Sequence, residues 1–318
     1  MRFLLCGGIN VGLEKSRRVF HKMDVASVIK FSSSFAQGGV TFIIRHNFVY
    51  DVVLFKFEEG GIEMTLILKA VENIPLIQKG DDLAEMICTN AKILDRDIIV
   101  IASTVVSKML GLTFYEKDII PTQEAKRIAK LNGKTPRFVQ AVLNESMEVL
   151  THTPFMLVRN KNGHVCINAG IDESNVGGGK LLKLPPNPDG CAAEIGEKIE
   201  QKTGRKISVV ITDTNGRAFK NGQTGVAIGL YNIRPLKKWI GQKDLYGKVL
   251  EITEEAVVDE IAGAANLIMG EGDGGCPVVI VSGLDLCAAE KTSIKEIYRD
   301  EKKDLIVQSL LDAKEKEE

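Results

Sequence analysis

The sequence lacks a long apolar run, a paired-cysteine motif and any marked excess of charge. No apolar stretch approaches the roughly 18 to 20 residues that span a bilayer, so no membrane-spanning segment is predicted. The six cysteines form no C-x-x-C pair, which argues against a zinc ribbon or a disulfide framework and favours a reducing, cytoplasmic compartment. With 41 Lys and Arg against 42 Asp and Glu, the net charge of -1 argues against a dedicated nucleic-acid-binding protein.

The common nucleotide-binding and hydrolase motifs are also missing. There is no G-x-x-x-x-G-K-[ST] segment and no G-x-S-x-G segment. The loop Gly270–Gly275 formally matches G-x-G-x-x-G, but a predicted helix precedes it and a predicted strand follows it. A dinucleotide-binding loop needs the opposite order, because the pyrophosphate sits on the N-terminus of the following helix. The sequence therefore predicts neither a P-loop nor a Rossmann domain.

The first 63 residues differ in composition from the rest of the chain. They hold eight of the twelve Phe and none of the nine Pro. Within them, Val40–Phe57 is rich in β-branched and aromatic residues and predicts two strands around His46-Asn47, which would suit a small accessory unit. A second interpretation is that translation starts at Met64, because the codons of Glu58–Gly61 can spell a purine-rich ribosome-binding site. Mass spectrometry of the native N-terminus distinguishes the two.

From residue 64 onward, predicted strands and helices alternate without a regular period, which indicates a mixed α/β or α+β fold. Strands are predicted at 65–71, 97–103, 155–160, 164–168, 207–213, 226–230 and 277–283. Helices are predicted to begin after Asp81-Asp82, and over 122–131, 137–150, 191–203, 254–269 and 304–313. We expect residues 64–318 to form the functional domain.

Acidic residues and glycines gather where predicted strands or helices end. Asp172 follows one strand, Asp213 and Thr214 end another, and Glu271 follows a helix. Carboxylate and hydroxyl oxygens are the ligands that Mg²⁺ and Mn²⁺ prefer, so these four residues predict a divalent-metal site that also holds substrate phosphates. The alternative is that each carboxylate only caps a turn.

Three basic residues lie close to these acids in sequence. Lys108 follows a strand together with Ser103 and Thr104, and offers a cation to a phosphate, although a surface lysine is an equally good interpretation of the spacing. Arg217 and Lys220 come just after Asp213, where cations suit an anionic substrate. The single Trp, Trp239, stands among basic residues and is interpreted as packing more readily than as a ligand contact.

Five ordered segments carry a resemblance to a known family. They are Asn168–Val176 (NAGIDESNV), Ile211–Arg217 (ITDTNGR), Gly222–Gly229 (GQTGVAIG), Asp244–Glu255 (DLYGKVLEITEE) and Met269–Gly275 (MGEGDGG). Together they closely resemble the archaeal coenzyme F420-0:L-glutamate ligase family, over about four fifths of the chain. The resemblance implies an α+β ligase fold unrelated to P-loop and Rossmann proteins, an intertwined homodimer, and GTP-dependent addition of γ-linked glutamate to the deazaflavin coenzyme F420-0 through an acyl phosphate.

The resemblance also implies roles for individual residues. One divalent ion, Mg²⁺ or Mn²⁺, is expected on Asp172 and Asp213, and a second on Thr214 and Glu271, with K⁺ as a further ion. The GTP contacts that it implies are Ile74, Pro75, Leu76, Ile77, Ser103, Thr104, Lys108, Asn175, Met269, Gly270, Glu271, Gly272, Asp273, Gly274, Gly275 and Cys276. Lys108 is expected to act in catalysis, and we assign Arg217 and Lys220 to substrate carboxylates or the acyl phosphate.

Two other function classes use the same residues. A metal-dependent GTP phosphohydrolase would release phosphate without needing glutamate, and a non-catalytic guanine-nucleotide-binding regulator would bind GTP without turnover. The expected partners are otherwise GTP, L-glutamate and F420-0, with no nucleic acid and no membrane.

Overall fold

Strands make up most of the framework of the computed structural model, which describes residues 29–31, 39–46, 49–56 and 64–315. The strands are β1 Ile29–Phe31, β2 Gly39–His46, β3 Val49–Lys56, β4 Met64–Ala70, β5 Ile98–Ala102, β6 Thr113–Tyr115, β7 Ser146–Thr151, β8 Leu157–Asn160, β9 Val165–Ile167, β10 Lys180–Leu182, β11 Ser208–Arg217, β12 Lys220–Tyr231, β13 Lys237–Lys238, β14 Glu254–Glu255 and β15 Val278–Ser282. The helices are α1 Leu83–Asn90, α2 Ser103–Met109, α3 Gln123–Asn132, α4 Pro136–Glu145, α5 Pro188–Thr203, α6 Val257–Met269 and α7 Leu305–Glu315.

Eight of the strands form one sheet in the order β1-β2-β3-β4-β15-β5-β11-β12. Only the β5 and β11 neighbours within this sheet run parallel, and the other neighbouring pairs are antiparallel. The fold is therefore a mixed α+β fold, as the alternation of elements predicted. Among the described residues, no helix is both long and apolar enough to cross a membrane.

The centre of the sheet is covered on both faces. Alternate residues of β5, such as Ile99 and Ile101, pack with α1 and α5 in one buried cluster. The residues between them, such as Ile98 and Val100, pack with α6 in a second cluster. Burial on both faces explains why β5 is an uninterrupted apolar run instead of an alternating one. A third cluster joins α3 and α4 to the small sheet β7-β8-β9.

Capping residues set the helix starts where the sequence predicted them. The Asp82 side chain accepts a hydrogen bond from the Glu85 N–H at the start of α1. At the start of α3, the Thr122 side chain accepts one from the Ala125 N–H. Thr135 caps α4, with Pro136 at its first position, where proline lacks only an N–H that would have no helical partner. These three helix starts are confirmed.

Three predicted helix boundaries are wrong by three residues or more, and one helix was missed. The helix predicted over 191–203 begins earlier, at Pro188. The helix predicted over 137–150 ends at Glu145, because the alternating residues from Ser146 onward pair with β8 as strand β7. The helix predicted from Glu254 begins at Val257, because Glu254 and Glu255 pair with Lys238 and Lys237 in a two-stranded sheet. The missed helix is α2, a single short segment directly after β5.

The strand pair predicted around His46-Asn47 is confirmed as β2 and β3, which lie antiparallel to each other. β3 in turn pairs with β4, so the described part of residues 1–63 extends one edge of the large sheet. The rest of that segment lies outside the described residues. The boundary at Met64, where β4 begins, stays a prediction.

Candidate active site

Four segments meet at one edge of the large sheet because of how its central strands run. β5 and β11 are parallel with Ala102 opposite Thr212, so their carboxyl ends lie together. β15 runs antiparallel to β5 and enters the sheet at this edge, where the Ala102 N–H donates to the Pro277 carbonyl over 2.9 Å. β4 leaves at the same edge, since the Val71 N–H donates to the Val278 carbonyl over 2.9 Å. The topology thus gathers the segments that the sequence singled out.

Asp213 lies at the centre of this edge. Its Oδ1 accepts a hydrogen bond of 3.0 Å from the Ser103 hydroxyl, which begins α2 directly after β5. The pKa of Asp213 is raised to about 6, chiefly by burial; hydrogen bonds from Ser103 and from the Thr214 N–H oppose the rise, and the negative charges of Asp172 and Glu271 add to it. Carboxylates from two other segments therefore lie near enough to act on Asp213 electrostatically.

Thr214 links β11 to the glycine-rich loop. Its hydroxyl donates to Glu271 Oε1 over 2.9 Å. Because the hydroxyl is the donor in this hydrogen bond, its oxygen lone pairs stay available to a cation. Thr214 and Glu271 thus form one pair of oxygen donors in direct contact.

Asp172 and Lys108 approach the same place from the other side. Asp172 pairs with Leu182 through two backbone hydrogen bonds, and its carboxylate accepts from the Ser174 N–H and hydroxyl. Lys108, on α2, donates to the Asn175 carbonyl over 2.6 Å. Burial lowers the pKa of Lys108, and the charge of Asp172 opposes that shift. The predicted cation therefore lies beside one of the predicted metal ligands.

The remaining predicted nucleotide contacts lie around this edge. Residues 74–77 follow β4, with Ile77 buried in the core and Leu76 89% exposed. Thr104 is half-buried on α2, and residues 270–275 are exposed between α6 and β15. Cys276 is half-buried at the end of this loop, where burial raises the pKa of its thiol to about 11, so it is a neutral thiol at neutral pH. The structure brings these segments to the site but leaves their nucleotide contacts untested.

Arg217 and Lys220 lie farther out than their sequence positions suggested. They flank the exposed tip of the β11-β12 hairpin, and Arg217 donates to the Asn221 carbonyl over 2.6 Å. Arg217 lies four steps along the strand from Asp213, which corresponds to about 13 Å. Within one chain, the structure does not bring these two cations to the carboxylates, so their assignment stays a prediction.

The side chains of this edge offer oxygen atoms as possible metal ligands. Within the part of the chain that the structure describes, no three His, Cys, Asp or Glu side chains group closely enough to hold an ion. A structural zinc site would need such a group, whereas Mg²⁺ commonly uses one or two protein oxygens and takes the rest from water and phosphates. Oxygen donors of this kind suit an ion of the Mg²⁺ type that is shared with a phosphate ligand, and the two-ion arrangement stays a prediction.

Sequence inspection missed two side chains at this edge. Asn266, in the last turn of α6, donates from Nδ2 to Glu271 Oε1 over 3.0 Å. Asn215 donates to the Val165 carbonyl and contacts His164 Nε2, each at 3.3 Å, which ties β9 to β11 beside Asp213. Only the adjacency of Asn215 to Thr214 and of Asn266 to the glycine loop could have drawn attention to them. His164 and Cys166 are buried.

Comparisons with known proteins match this chain to one family. The family model described as F420-0:Gamma-glutamyl ligase matches residues 72–283. A coenzyme F420:L-glutamate ligase of Methanosarcina mazei is 60% identical over 241 residues, covering 76% of this chain and 95% of that protein. Proteins of the same name from Archaeoglobus fulgidus and Methanothermobacter thermautotrophicus are 51% and 44% identical, over 74% and 69% of this chain and 94% and 90% of their own lengths.

Proposed function

The chain belongs to the F420-0:gamma-glutamyl ligase family, and from that premise we propose that it joins L-glutamate in γ-linkage to coenzyme F420-0 at the expense of GTP. The observation that carries the proposal is the meeting of Asp172, Asp213, Glu271 and Lys108 at one sheet edge inside the matched region. This is the set of charges that phosphoryl transfer to a carboxylate requires.

Amide formation needs an activated carboxylate, because a carboxylate does not react with an amine in water. We propose that the terminal carboxylate of F420-0 attacks the γ-phosphorus of GTP, which forms an acyl phosphate and releases GDP. The amine of L-glutamate then attacks the acyl carbon, expels inorganic phosphate and loses a proton. Such transfer depends on positioning and charge neutralisation more than on covalent catalysis by the protein.

Two pairs of side chains would hold the cations. Asp172 with Asp213 would hold one divalent ion, and Thr214 with Glu271 the other; the charge of Asp172 acts on Asp213, and Thr214 is hydrogen-bonded to Glu271. Mg²⁺ or Mn²⁺, when bound, would neutralise the triphosphate and the charge that develops during transfer. Burial, and to a smaller extent the charges of Asp172 and Glu271, raise the pKa of Asp213, and a cation bound there would offset this cost of ionisation. K⁺ is the further ion that we propose.

The nucleotide would lie across the segments that surround the carboxylates. We assign its contacts to residues 74–77, 103–104, 108, 175 and 269–276. Lys108 donates to the Asn175 carbonyl, so its ammonium lies between two of the segments assigned to the nucleotide. We assign Lys108 to the transferred phosphoryl group for that reason.

We propose that the active unit is a homodimer. Residues 237–255 form an exposed arm, closed by the hydrogen bond of 2.9 Å from the Asp244 N–H to the Lys248 carbonyl. Its tip carries Leu245 and Tyr246, which are 100% and 96% exposed. Neighbouring apolar side chains at such exposure suit contact with a second copy of the chain. A partner copy would also bring further groups to the exposed hairpin tip with Arg217 and Lys220.

Product analysis tests the proposal. The protein is incubated with F420-0, L-glutamate, GTP and Mn²⁺, and the coenzyme is weighed by mass spectrometry. A gain of one or more glutamyl units, dependent on all four additions, supports the ligase. GTP hydrolysis that is indifferent to glutamate would indicate the phosphohydrolase, and GTP binding without any turnover would indicate the regulator.

A further inference from the structure

Glu271 accepts two hydrogen bonds on the same carboxylate oxygen. Thr214 Oγ1 and Asn266 Nδ2 both donate to Oε1, over 2.9 and 3.0 Å. Among the described residues, no hydrogen bond reaches the second oxygen, Oε2. Because a carboxylate can only accept, Asn266 must present its amide nitrogen here, and that nitrogen carries protons and cannot itself bind a cation.

The backbone after α6 reverses direction, which places Glu271 next to Asn266. Gly270 has φ 65° and ψ 179°, a conformation that is essentially restricted to glycine. Its N–H donates to the Asn266 carbonyl over 2.9 Å, which closes the helix at that residue. The next residue, Glu271, therefore folds back alongside the last turn of α6 and does not continue away from it.

A second glycine lets α6 approach Thr214. Gly225 is the partner of Thr214 across the β11-β12 hairpin. A Cβ at residue 225 would lie 2.5 Å from the Ala262 carbonyl oxygen and 3.0 Å from Asn266 Cβ, too close for any side chain. This close approach brings the last turn of α6 against the strand pair that carries Thr214. It also gives a physical reason for Gly225 within the segment GQTGVAIG. The proposed chemistry does not otherwise use this glycine.

We propose that Asn266 is a positioning residue for the second divalent ion. It holds Oε1 of Glu271 so that Oε2, together with the lone pairs of the Thr214 hydroxyl, faces the cation. Gly225 sets the distance between helix and hairpin that makes this possible. The inference rests on the proposed assignment of Thr214 and Glu271 to a cation, and outer partners of this kind typically affect metal affinity about 10- to 100-fold.

Mn²⁺ binding tests the inference without relying on turnover. Free Mn²⁺ is titrated by electron paramagnetic resonance in the presence of a non-hydrolysable GTP analogue, for the full chain and for Asn266→Ala, Asn266→Asp and Glu271→Gln. We expect two ions on the parent protein and one on Glu271→Gln. For Asn266→Ala, we expect one ion at parental affinity and one weakened about 10-fold or more. Asn266→Asp removes the hydrogen-bond donor and adds a carboxylate that repels Glu271, so the Mn²⁺ affinity of the ion at Glu271 should change in this variant too.

Glu260→Ala serves as the matched control, since Glu260 is exposed in the first turn of the same helix. It should bind both ions with parental affinity. Two ions of unchanged affinity in both Asn266 variants would overturn the inference while leaving the cation assignment intact. If Glu271→Gln binds as many ions as the parent protein, or the parent binds none, the cation assignment itself fails. Circular dichroism and thermal unfolding of each variant show whether it is folded.

Discussion

The Ser103 hydroxyl donates a hydrogen bond of 3.0 Å to Asp213 Oδ1 across the parallel strands β5 and β11. The bond joins two segments that are 110 residues apart in sequence. It exists because parallel pairing brings both carboxyl ends to one edge of the sheet, where the buried Ser103 hydroxyl and the partly buried Asp213 carboxylate satisfy each other. The predictions that follow depend on this edge and on the surfaces around it.

Replacing Asp213 with Ala should abolish metal-dependent ligation. The substitution removes the carboxylate on which the charges of Asp172 and Glu271 both act, so we expect turnover to fall at least about 100-fold. The measurement is glutamate-dependent product formation over a Mn²⁺ titration. Asp259→Asn is a control outside the site, because Asp259 accepts from the Ala227 N–H on the face of α6 against β12. Full activity of Asp213→Ala at ordinary Mn²⁺ concentrations would refute the metal assignment.

Arg217→Ala tests the assignment of the hairpin tip. If the guanidinium binds a substrate carboxylate or the acyl phosphate, its loss should reduce kcat/KM roughly 10- to 100-fold. Arg205→Ala is the matched control, because Arg205 is likewise exposed and lies beyond α5. Steady-state kinetics with F420-0 and with glutamate varied separately shows which substrate is affected. Kinetics that match those of the parent protein would remove Arg217 from the site.

His164 should make the folded protein sensitive to mild acid. Burial lowers its pKa from 6.5 to about 4, and the Asn215 amide contacts Nε2, which suits a neutral ring. Below about pH 6.5 the unfolded chain therefore takes up a proton that the folded chain does not. The free energy of unfolding decreases as the pH is lowered, by on the order of 3 kcal/mol between neutral pH and pH 4. His164→Gln keeps an acceptor for Asn215 but does not titrate. Urea unfolding of both proteins between pH 7 and pH 4 measures the difference, and parallel curves would contradict this prediction.

The arm should hold the dimer together through its tip. Replacing Leu245 and Tyr246 with Ser removes two large apolar side chains, and each contributes roughly 1.5 to 3 kcal/mol when it is buried. We expect the double variant to be monomeric at concentrations where the parent is a dimer, as measured by sedimentation velocity. Ile120→Ser, at another exposed apolar residue, should leave the dimer unchanged. A monomeric parent protein, or a double variant that remains dimeric, would contradict the proposed assembly.

Residue type and local order predicted much of the fold and the polar edge. Helix starts could be predicted at the capping residues Asp82, Thr122 and Thr135, because a cap contacts only the first turn of its own helix. The end of α4 at Glu145 was not predictable in the same way, because it depends on pairing between β7 and β8. Local sequence carries little of that information.

The same distinction applies to the candidate site. Asp172, Asp213, Thr214 and Glu271 could be identified because acids after strands and before glycines are visible in a sequence. Asn266 could not, since its role depends on the close approach that Gly225 allows between α6 and the hairpin. The distance of Arg217 from Asp213 was missed because β11 continues beyond its predicted end at 213 as far as Arg217.

The most direct test of the central claim is the mass of the coenzyme after incubation of the full chain with F420-0, L-glutamate, GTP and Mn²⁺. We predict a product heavier by one or more glutamyl units, formed with release of GDP and phosphate and lost when GTP, glutamate or Mn²⁺ is left out. An unchanged coenzyme mass from folded, GTP-binding protein would contradict the account.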